Sequence, residues 1–349
     1  MDDHGQLCDR QAAGVARHCS KSATAELMRV AWRTVGSILE RVVAELKDVA
    51  TGQPLSCPDP HVIDARRGGF RYYMVCTTDR EADALVIHKS NDLVHWLPAG
   101  YVFPHGRQPW WALPSATPHG GRFWAPEIYR IGGKWVVYFS TTLDASKVHL
   151  GVFRGTQAVG VASSPTLRGP WSTRILHYRG EFNRVNHWKE TFGGVIDPSV
   201  ARDERTGQLY LFWAVQPTQI WVGKLSLDGL RLDRHIRPVL VPSKPWECHP
   251  AHRCTIEGPE PFYRNGVFDL FYSGAGTWDG SYAVGQAVSP DPFQRAFKKL
   301  DSPILHSGNR FLGPGHCSQP VTGPDGRTYI LYHATPPRTP TTSRAGGCL

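Results

Sequence analysis

One phrase, a glycine followed by an aromatic-rich apolar run, is written five times in this chain: Gly69 before FRYYMV, Gly133 before KWVVYF, Gly207 before QLYLFW, Gly266 before VFDLFY and Gly326 before RTYILY. Successive glycines stand 64, 74, 59 and 60 residues apart. In each copy an extended segment such as DPHVI or DPSVA meets a glycine-containing turn and then a run rich in Tyr, Trp, Phe, Val and Leu, the pattern of a β-hairpin. Downstream, ALVIHKS, VGVASS, IWVGKLS and YAVGQAVS each supply a further strand, giving about four strands per repeat. A four-stranded unit cannot bury both of its faces alone, so the copies must stack, and radial stacking of small twisted sheets is a propeller. The expected fold is therefore all-β, a five-bladed β-propeller.

In such a ring the first strand of every blade starts near one end of the central channel. Counting back nine or ten residues from each glycine gives Asp59, Trp124, Asp197, Glu257 and His316, which the ring would bring together although the sequence scatters them. Asp before Pro commonly only opens a turn. Three acids at one phase of an internal repeat argue instead for a shared site. Glu260, three residues past Glu257 in EGPE, competes for the same role; phase with the other repeats favours Glu257.

The repeat spans residues 51–335 as one domain, preceded by a 1–50 extension and followed by a flexible tail, 336–349, rich in Pro, Thr and Gly. Within the extension, Ala23 to Ala50 carries apolar residues at helical spacing and is expected to form one amphipathic helix. The first twenty residues lack the basic start and apolar run of a secretory signal, and no stretch reaches membrane-spanning length. On that basis the chain as written is expected to be cytoplasmic, or extracellular if its start is set too early. The eight cysteines include no CxxC pair, so neither a zinc site nor a redox motif is indicated, and Cys248 and Cys254 in ECHPAHRC are open to a disulfide or a metal. The net charge of +9 is scattered through turns without a nucleic-acid signature, so the expected partners include neither nucleic acid nor membrane.

Two carboxyl groups facing each other across a pocket can divide acid and base work when their surroundings drive their pKa values apart. Hydrolysis of a glycosidic bond needs that division, with a protonated acid for the leaving oxygen and a carboxylate to activate water. A third carboxylate would hold a proton on the acid by like-charge repulsion. The 12 Trp, 12 Tyr and 14 Phe supply more ring faces than a core requires, and sugars pack on such faces. Trp124, at the second-blade position, is the best candidate, ahead of Trp110, Trp111, Trp188 and Trp278 in loops. His316, in GPGHCS, is placed to bond a carboxylate, a water or a central cation.

These stretches resemble glycoside hydrolase family 43, five-bladed propellers that include arabinofuranosidases, xylosidases and arabinan endohydrolases. The matching segments are CPDPHVI, FWAPEIYRIGGKWVVYFS, GVIDPSV, TIEGPEPFYRNGVFDLFYSG and GPGHCS, one in each blade. The resemblance implies an inverting hydrolase of α-L-arabinofuranosyl or β-D-xylosyl linkages in oligo- or polysaccharides, with Asp59 as general base, Glu257 as general acid and Asp197 tuning and orienting that acid. It also implies Glu127 of WAPE as a support at the pocket edge, Asp92 and Trp96 of DLVHW as structural, and His316 as a substrate-side residue. No cofactor is required, though a structural calcium near His316 at the axis is compatible with the resemblance. Three alternatives remain open on sequence: an endo-acting arabinanase, a non-catalytic carbohydrate-binding propeller, and a retaining sucrose or fructan enzyme, the last disfavoured because no WMNDPN-like start surrounds Asp59.

Overall fold

The aromatic runs are continuous rather than alternating because the strand they form is buried on both faces. The computed structural model of the protein describes residues 24–32, 37–67, 69–78, 83–113, 123–150, 155–178, 194–216, 218–249, 254–277, 280–293 and 296–336. In Phe70–Cys76, Tyr72 and Met74 face one hydrophobic cluster while Tyr73 and Val75 face another. The same splitting recurs in Lys134–Thr142, where Val137 and Phe139 pack toward the first blade and Val136 and Tyr138 toward the third. Five such clusters lie between successive blades, and each joins one face of a second strand to the opposite face of the next blade's. Side chains such as Trp213, Tyr272 and Tyr332 are fully buried there; truncating one costs about 3–5 kcal/mol.

The five sheets follow one plan from axis to rim. The first blade runs His61–Arg67, Phe70–Cys76, Ala84–Ser90, His95–Phe103, and the second Phe123–Ile131, Lys134–Thr142, Gln157–Ser164, Ser172–Tyr178. The third is Val195–Arg202, Leu209–Val215, Gln219–Leu225, Leu232–Leu240, and the fourth Ile256–Arg264, Val267–Gly274, Ala283–Ser289, Lys298–Lys299.

The fifth blade corrects the expectation for the N-terminal extension. Thr24–Trp32 and Ser37–Glu45 are β-strands rather than a helix. Thr24–Trp32 pairs antiparallel with the C-terminal Thr328–Thr335, and Ser37–Glu45 pairs with Thr24–Trp32. On the axis side, Leu312–Gly315 and Val321–Thr322 complete the sheet. The physical reason is tertiary: among the described residues no strand follows Thr328–Thr335, and its open edge pairs with a segment whose apolar spacing alone suggests a helix. The propeller therefore begins well before residue 51. From the rim the chain enters the first blade through buried Leu46 and through Lys47–Asp48, which pairs parallel with His95–Phe103. Residues 1–23, and 337–349 of the proposed tail, lie outside the described residues.

Removing residues 1–45 leaves Thr328–Thr335 as an unpaired edge. The expected result is loss of a cooperative melt and elution as larger species in gel filtration; a monomer with an unchanged Tm would contradict this closure.

Candidate functional site at one mouth of the channel

Five residues with left-handed backbone mark the starts of the inner strands: Asp59 (φ 51°), Ala125 (44°), Asp197 (56°), Gly258 (53°) and His316 (46°). Four of the five carry a Cβ, for which this region is uncommon and strained. Each amide reaches a side chain, in most cases one at the end of the preceding blade's second strand. Ala125 donates to Thr77 Oγ1 (2.7 Å), Asp197 to Ser140 Oγ (2.7 Å), His316 to Ser273 Oγ (2.8 Å) and Asp59 to His333 Nδ1 (3.3 Å). The third blade offers only Ala214 at that position, and the amide of Gly258 donates instead to Asp197 Oδ2 at 3.0 Å.

This backbone frame resolves the nine-or-ten ambiguity of the repeat. Asp59, Asp197 and His316 are equivalent, whereas Trp124 and Glu257 each stand one residue earlier, paired across the hairpin with Ser140 and Ser273. Glu257 is thus out of phase with the aspartates, and the phase argument that preferred it to Glu260 does not hold. What separates the two glutamates is depth. Glu257 is partly exposed, accepting from Tyr282 Oη (2.9 Å) and Gln216 Nε2 (3.0 Å), while Glu260 is buried one layer further in.

Asp59 sits among polar side chains. Thr77 Oγ1 donates to its Oδ2 at 2.6 Å, and the Nδ1 atoms of His316 and His333 lie 3.3 and 3.2 Å from its Oδ1. Burial alone would raise this carboxyl; the His316 charge, His333 and Thr77 outweigh it and hold the group well below the usual carboxylate range. Asp197 goes the other way. Burial first, then the neighbouring Glu257 and Asp59 charges, push it well above its ordinary value against the Gly258 amide. A disulfide between Cys57 and Cys76 clamps the chain two residues before Asp59 to the residue before Thr77. A second, Cys248–Cys254, settles the open reading of that pair and lies just ahead of Glu257.

Two residues inward from the left-handed positions lies a second polar layer: His61, Glu127, Ser199, Glu260 and Ser318, all buried. Glu127 therefore belongs to the interior rather than to the pocket edge. Its Oε2 accepts from Tyr129 Oη, and Ser199 Oγ donates to Glu260 Oε1 at 3.3 Å. Burial raises Glu127 to about 7, and burial followed by the charge of Glu127 raises Glu260 well above the usual range. Burial lowers His61 to about 3, so its ring is neutral.

Among the described residues, His61, Glu127 and Glu260 gather donor atoms within 4.8 Å of one another, close enough for a metal. Yet His61 Nδ1 accepts from the amide of Ile128 at 3.2 Å, which puts the ring hydrogen on Nε2. That atom faces Glu127 and Glu260 at 3.9 and 4.0 Å as a donor, not as a ligand. At His316 the carboxylate in contact is that of Asp59, far short of the six to eight oxygens that calcium takes, roughly. A cation there would keep most of its water.

Trp124 is partly exposed at the same mouth. Trp110 is 65% exposed, whereas Trp111 is buried and stacked on Phe139, a core residue; Trp96 is buried too. Trp188 and Trp278 lie outside the described residues. Sequence reasoning missed His333, Thr77, Tyr282 and Gln216. The repeat held the signal for the first two, since Thr77, Ser140, Ala214, Ser273 and His333 all close the aromatic run.

The family described as Glycosyl hydrolases family 43 matches residues 53–347, a span that includes every residue of this cup. The chain belongs to that family. Among relatives of this family-43 protein, an extracellular exo-α-(1→5)-L-arabinofuranosidase of Streptomyces chartreusis is 28% identical over 294 residues, covering 79% of each chain. An extracellular endo-α-(1→5)-L-arabinanase of Bacillus subtilis is 25% identical, over 74% of this chain and 75% of the other. A thermostable family-43 glycoside hydrolase of known crystal structure shares the fold with a TM-score of 0.63 at 23% identity, over 80% of this chain and 86% of that one.

Glu127 binds its proton more tightly folded than unfolded, so its contribution is full below about pH 4.5 and is lost as pH rises to about 7. Glu127→Gln is expected to shrink the fall in Tm between pH 5 and pH 8 by a few degrees, measured by calorimetry; an unchanged fall would show that the buried layer does not titrate there.

Proposed function

We propose that this family-43 glycoside hydrolase is an inverting enzyme that releases terminal α-L-arabinofuranosyl units from plant-type oligo- or polysaccharides, with β-D-xylosyl linkages as the neighbouring substrate class. The observation that carries the reading is the opposite treatment of carboxyl groups at one mouth: Asp59 held ionised by two histidines and a threonine, Asp197 driven toward its protonated form beside Glu257. Such a split supports reading one corner as base and the other as acid. Asp59 takes a proton from water as the water oxygen attacks the anomeric carbon. Glu257 gives its proton to the departing glycosidic oxygen as that bond breaks on the opposite face. Asp197 supports the acid through geometry: its Oδ2 accepts from the amide of Gly258, the residue next to the acid. Trp124 offers a ring face to the sugar, and His316 acts through Asp59.

A non-catalytic binding propeller has no use for an ionised base and a proton-holding corner in one cup. An endo-acting arabinanase keeps the same chemistry in an open cleft, and the Bacillus relative makes it the second reading. The site of action is read as extracellular rather than cytoplasmic. Two disulfides suit an oxidising compartment, and the Streptomyces relative is described as extracellular. No helix among the described residues is long and apolar enough to cross a membrane.

Hydrolysis of p-nitrophenyl α-L-arabinofuranoside, the β-D-xyloside and linear arabinan tests the assignment. Asp59→Asn and Glu257→Gln should each lower kcat by about 10²–10⁴-fold on the arabinan, the size of general acid–base catalysis. Proton NMR should find the inverted anomer first, and arabinose as sole early product marks exo action. Unchanged rates in both variants, or release of the retained anomer, would refute the base and acid roles of Asp59 and Glu257.

A further inference from the structure

The two corners of the cup are joined through a single aromatic ring. Tyr282 is 1% exposed, and its hydroxyl donates to Glu257 Oε1 at 2.9 Å. The same ring lies parallel to His333, with centroids 5.9 Å apart and planes 7° from coincidence, while His333 Nδ1 is 3.2 Å from Asp59 Oδ1. Burial, and then the charges of Glu257 and Asp197, push the Tyr282 phenol well above its ordinary range, so it keeps its proton and remains a donor.

The ring's seat is built for it. A Cβ placed on Gly315 would fall 2.0 and 2.1 Å from two carbons of the Tyr282 ring, and one on Gly313 would meet its Cβ at 3.5 Å. Gly315 also pairs with His333 across the sheet. The bare backbone of one strand therefore supports Tyr282 and fixes its stacking partner. On the other side, Gln216 Nε2 holds the second oxygen of Glu257 at 3.0 Å, so the carboxyl has both oxygens restrained and cannot turn freely.

We propose that Tyr282 is a positioning residue that sets the acid against the base: its hydroxyl aims Glu257 at the leaving oxygen, and its ring, wedged between Gly315 and His333, transmits the placement of Asp59. This rests on the roles assigned above to Glu257 and Asp59. Holding reacting groups in line is worth large factors, and errors of about 1 Å cost on the order of 10²-fold.

The experiment uses the full chain and an aryl α-L-arabinofuranoside series with phenyl, p-nitrophenyl and 2,4-dinitrophenyl leaving groups, because protonation matters most for the poorest. Tyr282→Phe keeps the ring and the stack but removes the donor. It should lower kcat on the phenyl glycoside about tenfold, and several times less on the dinitrophenyl one, with KM little changed. Gly315→Ala keeps every site side chain but displaces the ring, and should lower kcat across the whole series because the base moves as well. Melting curves establish that both variants fold. A loss in Tyr282→Phe that is equal for all three leaving groups, or absent, overturns the positioning role while leaving the hydrolase reading intact. Wild-type protein inactive on the entire series overturns that reading and this one with it.

Discussion

The structure depends on one repeated contact: a backbone amide at the start of each inner strand, in a left-handed turn, donating to a side chain carried by the blade before it, in four of five cases at the end of that blade's second strand. The hydrogen bond offsets the local strain and bridges two blades at once. It also explains why functional groups collect at this mouth. Turning the backbone there swings the residue into the channel, so whatever occupies the position faces the axis. Three of the five positions carry ionisable groups, and one exception, at Gly258, substitutes a catalytic-layer carboxylate for the missing hydroxyl. The frame and the site share atoms.

The two polar layers answer the same physics differently. In the outer layer Asp59 lies against His316, His333 and the Thr77 hydroxyl and stays charged. One layer in, Glu127 and Glu260 meet each other and a histidine too deeply buried to take a proton, and the carboxyls hold protons instead. Charge is kept where water and substrate arrive and removed where the propeller needs to be filled. Buried carboxyls bonded by Tyr129 and Ser199 pack the axis with their ionisation suppressed beneath Asp59.

The ring, its five blades and the convergence of Asp59, Asp197 and His316 were legible because each follows from repeat phase, a property of sequence alone; Glu257 joins them although it stands one residue out of that phase. Depth was not. Glu257 and Glu260 lie on either side of a bulge in one strand, and only the register between Glu257 and Ser273 shows which one opens to the cup. The N-terminal strands were misread for a similar reason: apolar residues at mixed spacing fit a helix as well as a strand until the unpaired edge of Thr328–Thr335 is known. His333 was visible in LYHA, but its meaning required knowing that the ends of second strands face the next blade's inner turn. Tyr282 opens the recurring strand YAVGQAVS, but nothing in that segment marks it apart from the other strand aromatics, and nothing short of packing could have singled it out.

Closure by the N-terminal strand gives the ring a seam that joins Thr24 to Ala334, residues 310 positions apart. Contacts of that range form late, after the entropy of closing so long a loop has been met. A nascent chain thus carries four blades before the fifth can be assembled. Asp59, the base proposed above, has the same timetable, because it lies in the first blade to leave the ribosome while His316 and His333 lie in the last. An unsealed ring is therefore not a weakened enzyme but one in which Asp59 has not yet acquired the neighbours that keep it ionised.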